Sequence, residues 1–283
     1  MNPMTVAVKA GFRRGGIELR QSFSNGMELF AQFFWPLLTL VALFFMRNGT
    51  FETSGLNLGA LALPGVLGML VAFTGMFGIA QYLTLDREDG TLLRAKATPN
   101  GMVGYLLGKI VTTSGLALIQ VVIVLAFGMI VVGGVELNSL GRWLTLIWVL
   151  ALGLLATLPL GAIIGSVFES PRAMGFVSFP IMGLVAISGV FYPITSLPGW
   201  LQGVGQVFPI YWLGLGMRSA MLPGDAVAVE LGGSWRLPET AAVLCAWAVA
   251  GLLIAPIVLR RMARRESGAN LAVRREKALQ RAY

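Results

Sequence analysis

An all-α integral membrane protein is the fold class that this sequence predicts, and three observations carry it. Of its 283 residues, 56% are hydrophobic and only 12% are charged, where a soluble domain carries about 25% charge. Mean hydropathy is +0.78. The apolar residues fall into six runs, each near the roughly 20 residues that a membrane-crossing helix needs. Helices are expected throughout, because an open strand edge finds no hydrogen-bond partner in lipid.

The elements follow in order. Residues 1–26 form a lead-in that mixes Phe12, Ile17, Leu19 and Phe23 with Lys9, Arg13, Arg14 and Arg20. Such a segment can lie in the membrane interface as an amphipathic helix, aromatics in lipid and arginines toward headgroups. The adjacent Gly15 and Gly16 weaken that helix, and a plain lead-in is the alternative. It does not read as a cleavable signal, because the apolar run after it is long enough to span and lacks a small-residue cleavage pattern. Residues 27–259 form one six-span domain, with spans over 27–46, 58–83, 103–132, 143–168, 174–192 and 239–259. Residues 260–283 form a basic tail that reads as an anchor on anionic headgroups. Between the fifth and sixth spans, the apolar and aromatic segment "SGVFYPITSLPGWLQGVGQVFPIYWLGLGMRSAMLPGD" is broken by Pro193, Pro198, Pro209 and Pro223. It is too short for two further spans, and it predicts a re-entrant hairpin that dips into the outer leaflet.

Charge orients these elements. Seventeen of the 21 Lys and Arg residues fall in the two termini, the loop after span two together with Lys109 near the start of span three, and the turn after span four. Arg47, Arg142, Arg218 and Arg236 fall on the opposite side. The positive-inside rule therefore puts both termini and the 84–102 loop in the cytoplasm of a cell-membrane protein. Topology accounts for the net charge of +8, so no nucleic-acid partner is expected. The chain has no His and a single Cys, Cys245, which removes the commonest general base and metal ligand and any intrachain disulfide. No metal site is expected. Glu28, Glu169 and Glu239 sit at span ends, and the middles of the spans lack the ionisable groups that proton- or ion-coupled carriers use.

Within the spans, Met69, Phe73, Met76 and Phe77 on the second, Gln120 on the third, and Phe176 and Phe179 on the fifth are candidates to line a path for amphiphilic molecules. Each taken singly also fits ordinary packing or, for Gln120, interhelical hydrogen bonding. The spacings Gly104/Gly108 and Gly161/Gly165 let helices approach closely. The loop after span two is unlike the others. Asp86, Arg87, Glu88, Asp89, Arg94 and Lys96 crowd around Gly90, Thr91, Leu92 and Leu93. A short helix over 86–97 is expected, interrupted early at Gly90 and ended before Pro99. Its leucines would form an apolar knob flanked by charge, which suits docking of a soluble partner.

The stretch "DREDGTLLRAKATPNGMVGYLLGKI" resembles the type-2 ABC exporter permeases, where an acidic-Arg-Glu-x-Gly-Thr-Leu run precedes Thr-Pro and Tyr-Leu-Leu-Gly-Lys. The outer segment is similar to that family too, through Gly189, Phe191, Pro193, Leu197, Pro198, Trp200, Leu201, Gln202, Pro209, Tyr211 and Arg218. The two matches stand in the family's order, and the six-span layout fits nearly the whole chain.

The resemblance implies a permease that pairs with a second six-span chain, identical or different, and with two copies of a cytoplasmic ATP-binding subunit. The residues from Asp86 to Arg94 would be the coupling helix seated in that ATPase, which the lead-in would also touch. Spans two and five would line the path. Phe191, Pro193, Pro198, Trp200, Pro209, Tyr211 and Arg218 would belong to an extracellular cap. ATP and Mg would be used by the partner, with no cofactor bound by this chain. Its Gly108-Lys109 pair is followed by Ile110 where a phosphate loop needs Ser or Thr, so the chain is not expected to be an enzyme. A hydrophobic or amphiphilic small molecule, or a lipid, is the expected cargo. A secondary carrier and a non-transporting membrane scaffold are the other readings.

Overall fold

Asparagine and serine mark where several helices begin. Asn2, Asn25, Asn57 and Ser139 each accept a hydrogen bond from a backbone N–H of the first turn that follows, which satisfies a donor the helix itself leaves open. The computed structural model describes residues 2–49, 57–168 and 171–265, and for 171–173 the backbone alone. Every regular element among these residues is helical. In chain order they are α1 (Pro3–Ser22), α2 (Gly26–Met46), α3 (Leu58–Glu88), α4 (Thr91–Lys96), α5 (Gly101–Val132), α6 (Leu140–Val167), α7 (Pro171–Ile187), α8 (Gly199–Val207), α9 (Pro209–Met221) and α10 (Leu237–Arg265). Glu169 and the tail beyond Arg265 lie outside the described residues.

Five helices, α2, α3, α5, α6 and α10, are long and apolar enough to cross a membrane. The span expected over 174–192 is shorter. Its helix α7 has 17 residues, about 26 Å of rise against a hydrocarbon core of about 30 Å. It stops at Ile187, and Gly189 turns the chain with φ +61°.

α3 is the centre of the packing. It lies against α5, α6 and α9, and most of its first half is buried. Glycines let other backbones close on it: a Cβ at Gly65 would lie 2.1 Å from the Val190 carbonyl oxygen, and one at Gly68 would lie 2.8 Å from the Gly214 nitrogen. The outer segment is thus two short helices, of which α9 is buried along nearly its whole length between α3, α6 and α10. At 13 residues, it rises about 20 Å, too little to cross.

α1 runs unbroken through Gly15 and Gly16, although paired glycines weaken an isolated helix. Tertiary packing overrides the propensity. Ala7, Gly11 and Gly15 share one face of α1, and Gly104 and Gly108 face them on α5. A Cβ at Gly11 would lie 2.6 Å from the Gly104 oxygen, and one at Gly15 would lie 2.6 Å from the Gly108 oxygen. The other sides of α1 leave Phe12 and Ile17 exposed.

Candidate functional site

The charged turn between α3 and α5 differs from its expected form in where its helix begins. α3 does not stop at residue 83 but carries on to Glu88. The reason lies in the partners of Asp86 and Arg87, both of which are buried. Asp86 Oδ2 accepts from the Tyr105 hydroxyl at 2.7 Å and pairs with Lys109 Nζ at 2.9 Å. Arg87 Nη1 donates to the Phe168 carbonyl at 3.0 Å and reaches the Gly165 carbonyl at 3.4 Å. A cation there answers the open carbonyls and the negative end of α6.

The turn itself is made by Asp89 and Gly90. Gly90 has φ +79°, a conformation that a side chain disfavours. Asp89 Oδ1 accepts from the Thr91 backbone N–H at 2.7 Å, which starts α4. α4 has six residues, so the expected helix over 86–97 begins instead at Thr91. Leu92 is 2% exposed and packs into the core. It roots α4 to the body and does not form an outward knob; Leu93 is half-buried, and Arg94 and Lys96 are exposed. Arg94 Nη2 donates to Thr91 Oγ1 at 2.8 Å. Of the nine residues expected to face an ATPase, Asp86, Arg87, Gly90 and Leu92 therefore face into the chain, and Asp89 and Arg94 face out, with Glu88, Thr91 and Leu93 between.

Lys109 extends the cluster to α1. Its Nζ lies 3.0 Å from Glu18 Oε2, and Glu18 Oε1 accepts from Arg14 Nε at 2.8 Å. One ammonium thus ties α1, α3 and α5 together. Burial alone would raise the Glu18 carboxyl, but the hydrogen bond from Arg14 and the charge of Lys109 outweigh it and hold the group below its ordinary value. Beside this cluster a groove of about 850 Å³ opens between α1, α4 and the start of α5. Its lining is mainly apolar, with Val6, Ala10, Ala95 and Tyr105, and it includes both Arg14 and Arg94.

The other candidates divide. Met69, Phe73 and Phe77 are half-buried along α3, while Met76 and Gln120 are buried. Phe176 and Phe179 stand out from α7 at 76% and 74% exposure, so this chain does not bring them against α3. In the outer segment Pro193, Pro209, Tyr211 and Arg218 turn inward, Phe191 is half-buried, and Pro198 and Trp200 are exposed. Arg218 forms a buried pair with Glu230, Nε to Oε1 2.5 Å, and donates to the Gly189 carbonyl at 3.0 Å. Sequence reasoning missed Glu18, Tyr105 and Glu230. The signal for Glu18 was present: it is the only acid among residues 1–26 and stands four after Arg14, a helical ion-pair spacing. Nothing local marks Glu230 as the partner of Arg218, because the pair is made by the fold.

A family profile described as "ABC-2 family transporter protein" matches residues 42–257, most of the chain. The chain belongs to the ABC-2 transporter family. It is also 22% identical over 185 residues to the Bacillus subtilis (strain 168) protein named "Putative transport permease YvfS", an overlap of 64% of this chain and 75% of that protein. An ABC-2 member is a membrane permease of an ABC transporter, and membership implies association with an ABC ATP-binding subunit. The long apolar helices agree with a multi-pass membrane protein.

Proposed function

We propose that this chain is one permease of an ATP-driven exporter, with two ATP-binding subunits seated at the α4 end and a second permease chain completing the path. The observation that carries the reading is the groove between α1 and α4, beside a short helix whose root is fixed and whose charges face out. An apolar ridge on a soluble subunit fits such a floor, and acidic groups on its rim would meet Arg94 and Lys96. In this reading α7 joins the five long helices as a sixth span. Both termini and α4 are cytoplasmic, α1 lies along the interface, and α8 and α9 dip in from outside. ATP and Mg act in the partner subunits, and this chain hydrolyses nothing. Closure of the ATP-binding subunits displaces α4 and α1; through Lys109 the displacement reaches α3 and biases the path toward release. The cargo is a hydrophobic or amphiphilic small molecule or a lipid, a reading supported by Met69, Phe73 and Phe77 on α3 and by Phe176 and Phe179 on α7.

The test is purification of the chain from its own membranes with its partners, followed by an ATPase assay. An ATP-binding subunit should co-purify. Arg94→Glu should lower its recovery and the associated hydrolysis several-fold while the chain still inserts. Absence of such a subunit, together with vesicle transport that ignores ATP, would overturn the proposal.

A further inference from the structure

Residues 222–236 lead from α9 to α10 and close over the outer end of α3. Leu222 and Ala226 are buried against Leu61 of α3 in a small apolar cluster separate from the main core, with Val229 and Trp235 packed around it. The regular structure here is two short 3-10 pieces, Gly224–Val229 and Leu231–Gly233, a form with poorer hydrogen-bond geometry than the α-helix. The segment is tied down at both ends. Arg142 Nη1 donates to the Leu222 carbonyl at 3.0 Å, and Arg236 Nη1 donates to Gln206 Oε1 of α8 at 2.7 Å. Just before the second tie, Gly232 and Gly233 have φ of +71° and +58°, backbone that glycine enters and leaves at little cost.

Between the ties, one charged side chain turns inward. Glu230 is 4% exposed, whereas Asp225 stands out from the surface. Both Glu230 oxygens meet the buried Arg218 of α9, Nε to Oε1 at 2.5 Å and Nη2 to Oε2 at 3.4 Å. Arg218 Nη1 also donates to the Gly189 carbonyl at 3.0 Å, so the arginine stays held by the turn after α7 when Glu230 leaves it. Thr195 Oγ1 adds a bond to the Val229 carbonyl at 3.2 Å. A cavity of about 10 Å³ adjoins the ion pair, beside Leu61 and Tyr192, about the room that a single water needs. A buried ion pair adds little net stability over a well-packed apolar pair. Its effect is of another kind. Enclosed, the two charges attract strongly; parted, both are hydrated. The segment therefore has two distinct positions with little between them.

We infer that residues 222–236 are a lid on the outer end of α3, and that Glu230 closing on Arg218 is its latch. The ties at Leu222 and Arg236 keep the ends in place, Gly232 and Gly233 serve as the hinge, and the small Leu61 cluster is the apolar contact that parts when the lid lifts. Its role rests on the transporter reading above: lifting the lid opens the outer mouth of the path for release.

The test is the rate at which a water-soluble maleimide reaches Leu61→Cys, beneath the lid, in the full chain held in lipid nanodiscs with Cys245→Ser. Ser234→Cys, exposed on the lid, is the reference for an intact fold. In the parent, Leu61→Cys should react at least tenfold more slowly than Ser234→Cys. Glu230→Gln breaks the latch and should speed Leu61→Cys at least fivefold with Ser234→Cys unchanged. Arg218→Met combined with Glu230→Leu replaces the latch by an apolar contact that has no hydrated open state. It should keep the parent's melting temperature and slow Leu61→Cys at least threefold, and this comparison decides alone if Glu230→Gln does not fold. Equal rates at Leu61→Cys in parent and double variant, or a double variant as fast as Glu230→Gln, would overturn the latch. In the complex with a co-purified ATP-binding subunit, ATP with vanadate should quicken Leu61→Cys in the parent and not in the double variant. No change in either would overturn the role in release. Absence of that subunit would remove the permease reading, while the nanodisc rates would still decide the lid.

Discussion

Lys109 is the residue on which most of the charged cluster depends. Its ammonium sits between carboxylates from α1 and α3 and is 4% exposed. Removing one member of a buried ion pair leaves the other uncompensated, at a cost of about 3–5 kcal/mol. Here Asp86 keeps Tyr105, while Glu18 keeps Arg14 and remains partly exposed. Lys109→Met should therefore cost about 2–3 kcal/mol, at or just below the bottom of that range after discount for solvent. In detergent the melting temperature should fall by roughly 5–10 °C; an unchanged value would mean that the cluster is held by its other members. Glu18 adds a pH dependence. Its carboxyl is held low in the folded chain, so the stabilisation is fully present above the ordinary glutamate range and fades as pH falls toward and through the lowered value. Thermal melts between pH 7 and pH 3 should show the parent losing more stability than Glu18→Gln, which starts lower at neutral pH. Equal losses would remove Glu18 as a source. Of this cluster, the sequence alone made Asp86 and Arg87 look like surface charges, since in sequence they stand in a loop. Their burial depends on Tyr105 and Lys109 and on the end of α6, contacts that span 19 to 81 residues.

At the scale of elements, hydrophobic run length was enough to place α2, α3, α5, α6 and α10 to within a few residues at most ends. The misses have local physical causes. α3 outran its apolar run because its last turn finds charged partners inside the fold. α7 fell short because Gly189 and Pro193 redirect the chain. The π turn of α3, over Thr74–Gly78, left no sequence signature beyond two glycines, Gly75 and Gly78, in a region where glycine is common. The glycines of α1 were legible as residues but not as a surface. Gly11 and Gly15 read as helix-weakening until Gly104 and Gly108 are set against them, when they become the reason α1 can touch α5 at all. Gly15→Leu would place side-chain atoms where the Gly108 oxygen and the Val111 side chain now stand. Overpacking of this kind costs about 1–3 kcal/mol, and α1 is held to α5 mainly along this face. Hydrogen exchange of residues 3–22 should therefore quicken by roughly tenfold or more, with α5 and α6 little changed. Unaltered protection of α1 would show that its seat does not depend on the glycine face.

For the whole molecule, the two ends of the helices treat positive charge differently. On the side expected to be outside, Arg142 pairs with Glu136 at 2.8 Å, Arg218 with Glu230 at 2.5 Å and Arg236 with Glu239 at 3.6 Å. Arg47 lies over the Phe44 ring at 3.9 Å. On the other side, Lys9, Arg13, Arg20, Arg260, Arg261 and Arg264 are exposed along α1 and the end of α10. Among the described residues, each arginine on the side expected to be outside has a carboxylate or an aromatic ring beside it, and the exposed basic residues gather with α4 at the other end. Such an end meets anionic headgroups and resists translocation. The positive-inside rule counts lysines and arginines and takes little account of carboxylates, so the expected orientation rests on the number of basic residues at each end. Cysteines introduced at exposed positions test it directly in a Cys245→Ser background. On intact cells a membrane-impermeant maleimide should label Ser234→Cys promptly. Thr98→Cys, in the turn after α4, should be labelled only after the membrane is opened. Labelling of Thr98→Cys in intact cells, with Ser234→Cys protected, would invert the chain and move the α1–α4 groove to the side without ATP.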